Sequence, residues 1–224
     1  MISKKAQIEF LEKTASLYRK ASKIHGGGHT IIRGRKRCIS GKFEDEFAKL
    51  ILKHVVRNAK GYYIFVDYPI TMPQVRSRNK SKYIDFMLCK ESDSEMDVMY
   101  MAEIKLDTGW MRKNVYKAAK ELETQLQKLR KMDDVSSKDE ERVWDGDRLY
   151  FKFSDFTLYD LIILSATNNE PDVIERACER ARKRLTTGIF ILTDQPVNTK
   201  KSGLRPRRDF YELEKRIRNC KKNS

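Results

Sequence analysis

The alternation of apolar and polar positions divides the chain into helices and strands. Residues 3–24 place Ile8, Leu11, Ala15, Tyr18 and Ile24 near helical spacing, which predicts an amphipathic helix stopped by the glycines at 26–28. A basic connector, HTIIRGRKRCISGK, follows. Phe43, Phe47, Leu50, Ile51 and Val55 then form the apolar stripe of a second helix, about 43–58, with Ser40 as its candidate cap. GYYIFVDYPI, 61–70, reads as a strand, and two further apolar runs near 83–89 and 98–106 read as a hairpin with a polar loop at 90–98. A helix over 110–132, a polar surface excursion over 133–147 and a short strand RLYFKF come next. TLYDLIILSA, 157–166, and GIFILTD, 188–194, are buried-strand runs on either side of a helix at 171–185 with Pro at its start. A basic helix near 209–219 closes the pattern. An antiparallel hairpin followed by strands joined through helices predicts an α/β protein with a mixed sheet covered by helices on both faces. No internal repeat or clear linker interrupts it. The expected organisation is a single domain: a basic helical extension over 1–42, a core over 43–194, and a basic arm and helix over 195–224.

Three charged side chains break the hairpin's apolar pattern. The stretch KYIDFMLCKESDSEMDVMYMAEIKLD carries Asp85 in one run and Glu103 and Lys105 in the other. Strand side chains alternate, so Glu103 and Lys105 share a face, and Met99 and Met101 are expected on it. A register pairing 89 with 99 and 87 with 101 sets Asp85 opposite Glu103. Facing carboxylates repel, and a buried pair must share a proton or bind a cation. Two hard oxygen ligands suit Mg2+, which keeps several waters, and Lys105 beside them can hold a phosphate or orient a water. The bland alternative is an exposed hairpin whose ion pair contributes under about 1 kcal/mol.

Charge adds a partner. The net charge is +15, and it lies at the ends: net +9 over residues 1–42 and +7 over 200–224, around a centre of −1. Basic ends on a neutral core suit a polyanion, most simply nucleic acid; a solubility device or an anionic membrane surface is the alternative. Arg33, Arg35, Lys36 and Arg37 precede the second helix. Arg76, Arg78 and Lys80 lie in the loop leading to Asp85. Arg205, Arg207 and Arg208 lie in the C-terminal arm, and all three groups are candidate DNA contacts. Trp110 and Tyr116 are candidate stacking residues, with packing favoured for both.

The set Ile84-Asp85 with Glu103-Ile104-Lys105, in the order helix, three strands, helix, strand, resembles the PD-(D/E)xK nucleases, the restriction-endonuclease-like superfamily. The resemblance covers roughly residues 43–166, and Ile84 stands where that family commonly has Pro. It implies an αβββαβ core and an Mg2+-dependent endonuclease (Mn2+ substituting) acting on double-stranded DNA. Asp85, Glu103 and the Ile104 carbonyl are then metal ligands, with Lys105 assisting the water or the scissile phosphate. Glu44 is implied as a supporting acid, with Asp45 and Glu46 adjacent competitors, and Gln125 or Gln127 as a supporting polar residue. A small chain without a G-x-x-x-x-G-K-[ST] run, hence no nucleotide cofactor, is most similar to a type II restriction endonuclease, which implies a homodimer. A structure-specific repair or recombination nuclease and a non-catalytic nucleic-acid-binding module are the other two readings.

The remaining candidates are weaker. His25 and His29 flank three glycines with no third ligand nearby, which favours a plain loop. Cys38, Cys89, Cys178 and Cys220 have no zinc spacing and read as free thiols, two of them core fillers. No run approaches the roughly 18 apolar residues that span a bilayer, and MISKKAQIEF lacks a signal-peptide core, so a cytoplasmic location without membrane contact is expected.

Overall fold

A computed structural model describes residues 1–21, 39–57, 59–72, 80–92, 95–108, 114–138, 148–166, 170–196 and 204–222. Helix α1 spans Lys4–Ala21 and α2 spans Ile39–Ile51, which continues into a π-helical turn, Leu52–Val56. Strands β1 (Tyr62–Met72), β2 (Lys80–Ser92) and β3 (Glu95–Asp107) follow, then α3 (Val115–Leu129), β4 (Ser136–Lys138) and β5 (Arg148–Ser165). Helix α4 (Pro171–Arg184), β6 (Ile189–Thr193) and α5 (Arg208–Lys222) complete the order. The protein is mixed α/β, with one six-stranded mixed sheet. No helix among the described residues is long and apolar enough to cross a membrane.

The hairpin β2–β3 is antiparallel, β3 runs parallel to β5, and β5 runs parallel to β6. Short β4 pairs with β1 through Thr71–Ser136 and with β5, so the strand pairings close on themselves and cover an edge of β1. No strand is expected here from the alternation of apolar and polar positions. Val135, Ser136 and Ser137 are buried where a surface excursion was expected, because a three-residue polar strand has no readable period.

Two clusters of buried side chains lie on the two faces. One joins α1, α2 and α5 to the sheet around Phe10, Phe43, Phe47, Phe86 and Phe210, whose rings meet at tilted and edge-on angles. Both terminal helices pack into this cluster, and the buried Glu214 of α5 accepts the backbone N–H of Ile2 at 2.8 Å. The other cluster packs α3 and α4 against Met101, Leu161, Ile163 and Ile191. Cys89, Cys178 and Cys220 are free and buried; Cys38 lies outside the described residues.

Several boundaries differ from the periodic reading. Ser40 lies inside α2 and so is not its cap, and α3 starts at Val115 with the side chain of Asn114 accepting from the Lys117 N–H at 3.0 Å. The expected loop at 90–98 is mostly strand, since β2 reaches Ser92 and β3 starts at Glu95. The two expected strands at 148–166 are one 18-residue strand, because an irregularity inside β5 breaks its alternation without breaking the strand.

That irregularity corrects the expected register. Cys89 pairs with Val98 and Leu88 with Tyr100, so Met99 is the extra residue of a bulge. The same residue is skipped on the other side, where Val98 pairs with Phe153 and Tyr100 with Leu158. Met99 therefore packs with Tyr100 and Ala102 on the α2 face and does not share the face of Met101. Arg130 holds the bulged part of β5 by donating to the carbonyls of Ser154, Asp155 and Thr157 at 3.0, 2.8 and 2.7 Å.

Candidate functional site

The bulge leaves the lower half of the hairpin in the expected register, with Met87 opposite Met101 and Phe86 opposite Ala102. One step further that register sets Asp85 across from Glu103. The ladder stops there, and the Ile104 N–H donates instead to Asp85 Oδ2 at 2.8 Å. Lys105 completes the group: its Nζ lies 2.6 Å from Glu103 Oε1 and 3.3 Å from Asp85 Oδ2. Two carboxylates from neighbouring strands thus converge on one ammonium group, and all three side chains are partly buried.

A second irregularity shapes the site from below. Val66 pairs with Phe86 and Tyr68 with Ile84, leaving Asp67 and Asp85 between the two pairs. Asp67 has φ +46°, a left-handed conformation that Asp tolerates better than most residues. Both strands turn over at this point. Phe86 packs on the α2 face while Ile84 packs on the α3 face, although simple alternation would put them together. The turn-over brings Lys82 to the α3 side. There its Nζ donates to Gln125 Oε1 on α3 and, at 3.1 Å, to the Tyr159 hydroxyl on β5. Tyr159 in turn donates to Glu103 Oε2 at 3.5 Å. Lys82, Gln125 and Glu103 line a cleft of about 780 Å3, with the exposed Tyr83 at its wall and Tyr159 buried behind it.

Burial and like charge raise the pKa values of two carboxyls, Asp85 and Glu44. Asp85 is raised, by burial first and then by Glu103, with Lys105 and the Ile104 N–H opposing. Lys105 is raised as well: burial pulls it down, but Asp85 and Glu103 outweigh that. Glu44, buried on α2, is pushed up to about 7 by burial, then by the charges of Asp85 and Asp67. Among the three adjacent acids Glu44 is the buried one, and the one that feels the charges of Asp85 and Asp67. Glu46 is paired with Lys13 and Lys49, and Asp45 is exposed.

A folded-state pKa above the ordinary carboxyl value makes the native state hold the extra proton. The Glu44 contribution is complete below about pH 4.5 and is lost as pH rises through 7, a cost of up to about 3 kcal/mol. Glu44→Gln is therefore expected to raise the melting temperature by several degrees at pH 8 in chelator and to change it little at pH 4.5. Calorimetry at the two pH values checks this, and an equal shift at both would contradict it.

Gln125 lines the cleft whereas Gln127 is exposed on the outer side of α3. Tyr116 packs under the Arg180 guanidinium, 4.3 Å from its ring centroid, in keeping with packing. Arg33, Arg35, Lys36, Arg37, Arg76 and Arg78 lie outside the described residues, as do His25, His29 and Trp110. Lys80 opens β2. In the C-terminal arm Arg207 is engaged by Asp194 and Asp209, and the exposed Arg208 lies 3.5 Å from Glu212. The Arg205 N–H donates to Gln195 Oε1 at 2.6 Å.

The pattern reading assigned no place in the site to three residues that the structure brings there. Asp67 is a lone acid in an apolar strand, the same signal as Asp85. Lys82 showed only as one of the basic residues of the stretch 71–82, and Tyr159 had no signal, because their meeting with Glu103 joins three separate strands. Among the described residues no three His, Cys, Asp or Glu side chains gather at metal-ligand spacing. The donors that do gather are two carboxylates, a number that suits Mg2+, since it takes one or two protein carboxylates and fills the rest of its shell with water and substrate oxygens.

Comparison of the chain with family models, with curated proteins and with solved structures finds no match.

Proposed function

We propose that this chain is a magnesium-dependent endonuclease that hydrolyses phosphodiester bonds of double-stranded DNA, of the restriction-endonuclease-like PD-(D/E)xK kind. The observation that carries the reading is the convergence of Asp85 and Glu103, from adjacent strands, on the ammonium of Lys105. The order α2, β1–β3, α3, β5, with β3 and β5 parallel, supports it as the order the resemblance implies.

Asp85, Glu103 and the Ile104 carbonyl would hold the ion, which when bound acidifies a water and offsets charge on the phosphate. Asp85 is oriented by the Ile104 N–H, and Glu103 by Tyr159. Lys105, freed from one carboxylate, can donate to the attacking water or to a non-bridging oxygen of the scissile phosphate. Glu44, near neutral pH in its titration, can take or give a proton beside Asp85. The basic ends supply attraction to the phosphate backbone.

Incubation with plasmid DNA and Mg2+ or Mn2+ tests the reading. Discrete fragments support a sequence-specific type II restriction endonuclease, for which a homodimer is the proposed assembly. Cutting confined to flaps, junctions or mismatches supports a repair or recombination nuclease. Binding without cutting supports a non-catalytic module. A second readout needs no turnover. Mg2+ at about 100 times its Kd is expected to raise stability by about 2.7 kcal/mol, and Asp85→Asn is expected to abolish that shift in a thermal melt.

A further inference from the structure

Lys82 is a second ammonium group in the cleft; the charge pattern makes it only one of several basic residues over 71–82 that could meet phosphate, and the Asp-Glu-x-Lys resemblance gives it no task. It enters from the start of β2 because the strand turns over between Ile84 and Phe86. Its direct partners are neutral: the Gln125 amide oxygen and the Tyr159 hydroxyl, the latter at 3.1 Å. An ammonium only donates, so the tyrosine must accept from Lys82 and turn its own proton to Glu103 Oε2, 3.5 Å away. Glu103 is already engaged by Lys105 at 2.6 Å. Lys82 is thus a partly buried cation held in place by two dipoles, one hydrogen bond removed from the nearest carboxylate.

Burying a cation against neutral groups costs free energy that neutral partners only partly return. Methionine would fill the same space without that cost. The charge is explained if an anion enters the cleft. Lys82 lines the cleft together with Asp85, Glu103 and Lys105, and an ammonium has three N–H groups. Two are directed at Gln125 and Tyr159, which fixes the direction of the third.

We propose that Lys82 donates this third hydrogen bond to a backbone phosphate of the bound nucleic acid, next to the phosphate handled by Lys105. The inference rests on the nuclease reading and divides the work between two lysines. Lys105 serves the reacting phosphate, and Lys82 holds its neighbour. Gln125 and Tyr159 are positioning residues for Lys82.

The test uses the full chain and a fluorescently labelled DNA duplex that the wild-type protein cuts. Binding is measured by anisotropy in Ca2+ across a range of salt, and cleavage is measured in Mg2+. Lys82→Met is expected to weaken binding about tenfold at low salt and to lower the slope of log K against log salt by about 0.9, the loss of one phosphate contact. KM should rise more than kcat falls. Lys82→Arg keeps the charge and is expected to restore most of the affinity and the slope, a rescue that a mere packing role would not produce. Melting curves identify a variant that fails to fold, in which case Lys82→Gln replaces it. Wild-type cutting with an unchanged Kd and slope in Lys82→Met overturns the inference and leaves the nuclease reading standing. So does a fall in kcat alone, which would make Lys82 a support for Glu103. A wild-type protein that binds the duplex and cuts no DNA overturns the nuclease reading, and the same salt slope then decides the phosphate contact by itself.

Discussion

Lys105→Ala is expected to lower Mg2+-dependent DNA cleavage by about 10²- to 10⁴-fold while leaving DNA affinity within a few-fold of the wild type. The size follows from where the ammonium sits. Its Nζ is within reach of both carboxylates, 2.6 Å from Glu103 and 3.3 Å from Asp85, so anything these two acids position is within its reach too. The affinity is spared because binding to a duplex is spread over many phosphate contacts, of which this lysine supplies at most one. The substitution has a second consequence. Lys105 holds the Asp85 pKa down against burial and the charge of Glu103, so its removal moves the ionisation of Asp85 to higher pH. In the chelated protein the Asp85 carboxyl band in infrared titration is expected to shift upward in pH. Single-turnover cleavage at saturating protein separates the chemical step from binding, and a Lys105→Ala variant with wild-type turnover would remove the proposed site.

Arg216→Met is expected to destabilise the protein by about 3–5 kcal/mol, a fall of roughly 6–20 °C in melting temperature for a chain of this size. Asp160 on β5 is fully buried. It accepts from Arg216 Nε at 2.7 Å and from a second guanidinium nitrogen at 3.0 Å, and from the Gly188 N–H at 2.6 Å. Arg216 also donates to the Thr186 carbonyl. One guanidinium therefore ties α5 to β5 and to the turn before β6. Taking it away leaves a fully buried carboxylate with no counter-charge, which is the costly case, rather than merely forfeiting a surface pair. The double variant Arg216→Met/Asp160→Asn removes the stranded charge and keeps an acceptor for Gly188, so it should recover most of the loss. Failure of the double variant to recover would place the effect in the packing of α5 instead. The turn itself has no room for a side chain: a Cβ on Gly188 would lie 2.5 Å from the Phe190 ring.

The two expectations depend on the sequence in different ways. Asp85, Glu103 and Lys105 were legible because each interrupts an apolar strand, and because residues two apart on a strand must share a face. The hairpin register at 87–101 followed from matching two apolar runs. The same local logic failed at Met99, where a bulge changes the face of every residue beyond it, and at β4, whose three residues are too few and too polar to show a period. The choice of Glu44 over Asp45 and Glu46 was open in the sequence. Packing distinguishes the three: α2 buries Glu44 along with Phe43 and Phe47, while Glu46 is held outside by Lys13 and Lys49.

What the sequence determined by itself is what short-range periodicity and composition can carry: the helices, the buried strands, the acidic pair with its lysine, and two basic ends. What tertiary structure alone decided is every meeting between residues far apart in the chain. Lys82 reaches Tyr159 only because two strands turn over at Asp67 and Asp85. Asp160 finds Arg216 only once α5 has docked on the sheet. Periodicity reports which face a side chain takes relative to its own neighbours, whereas the partner across the sheet is set by how separate elements pack, and no local pattern encodes that distance.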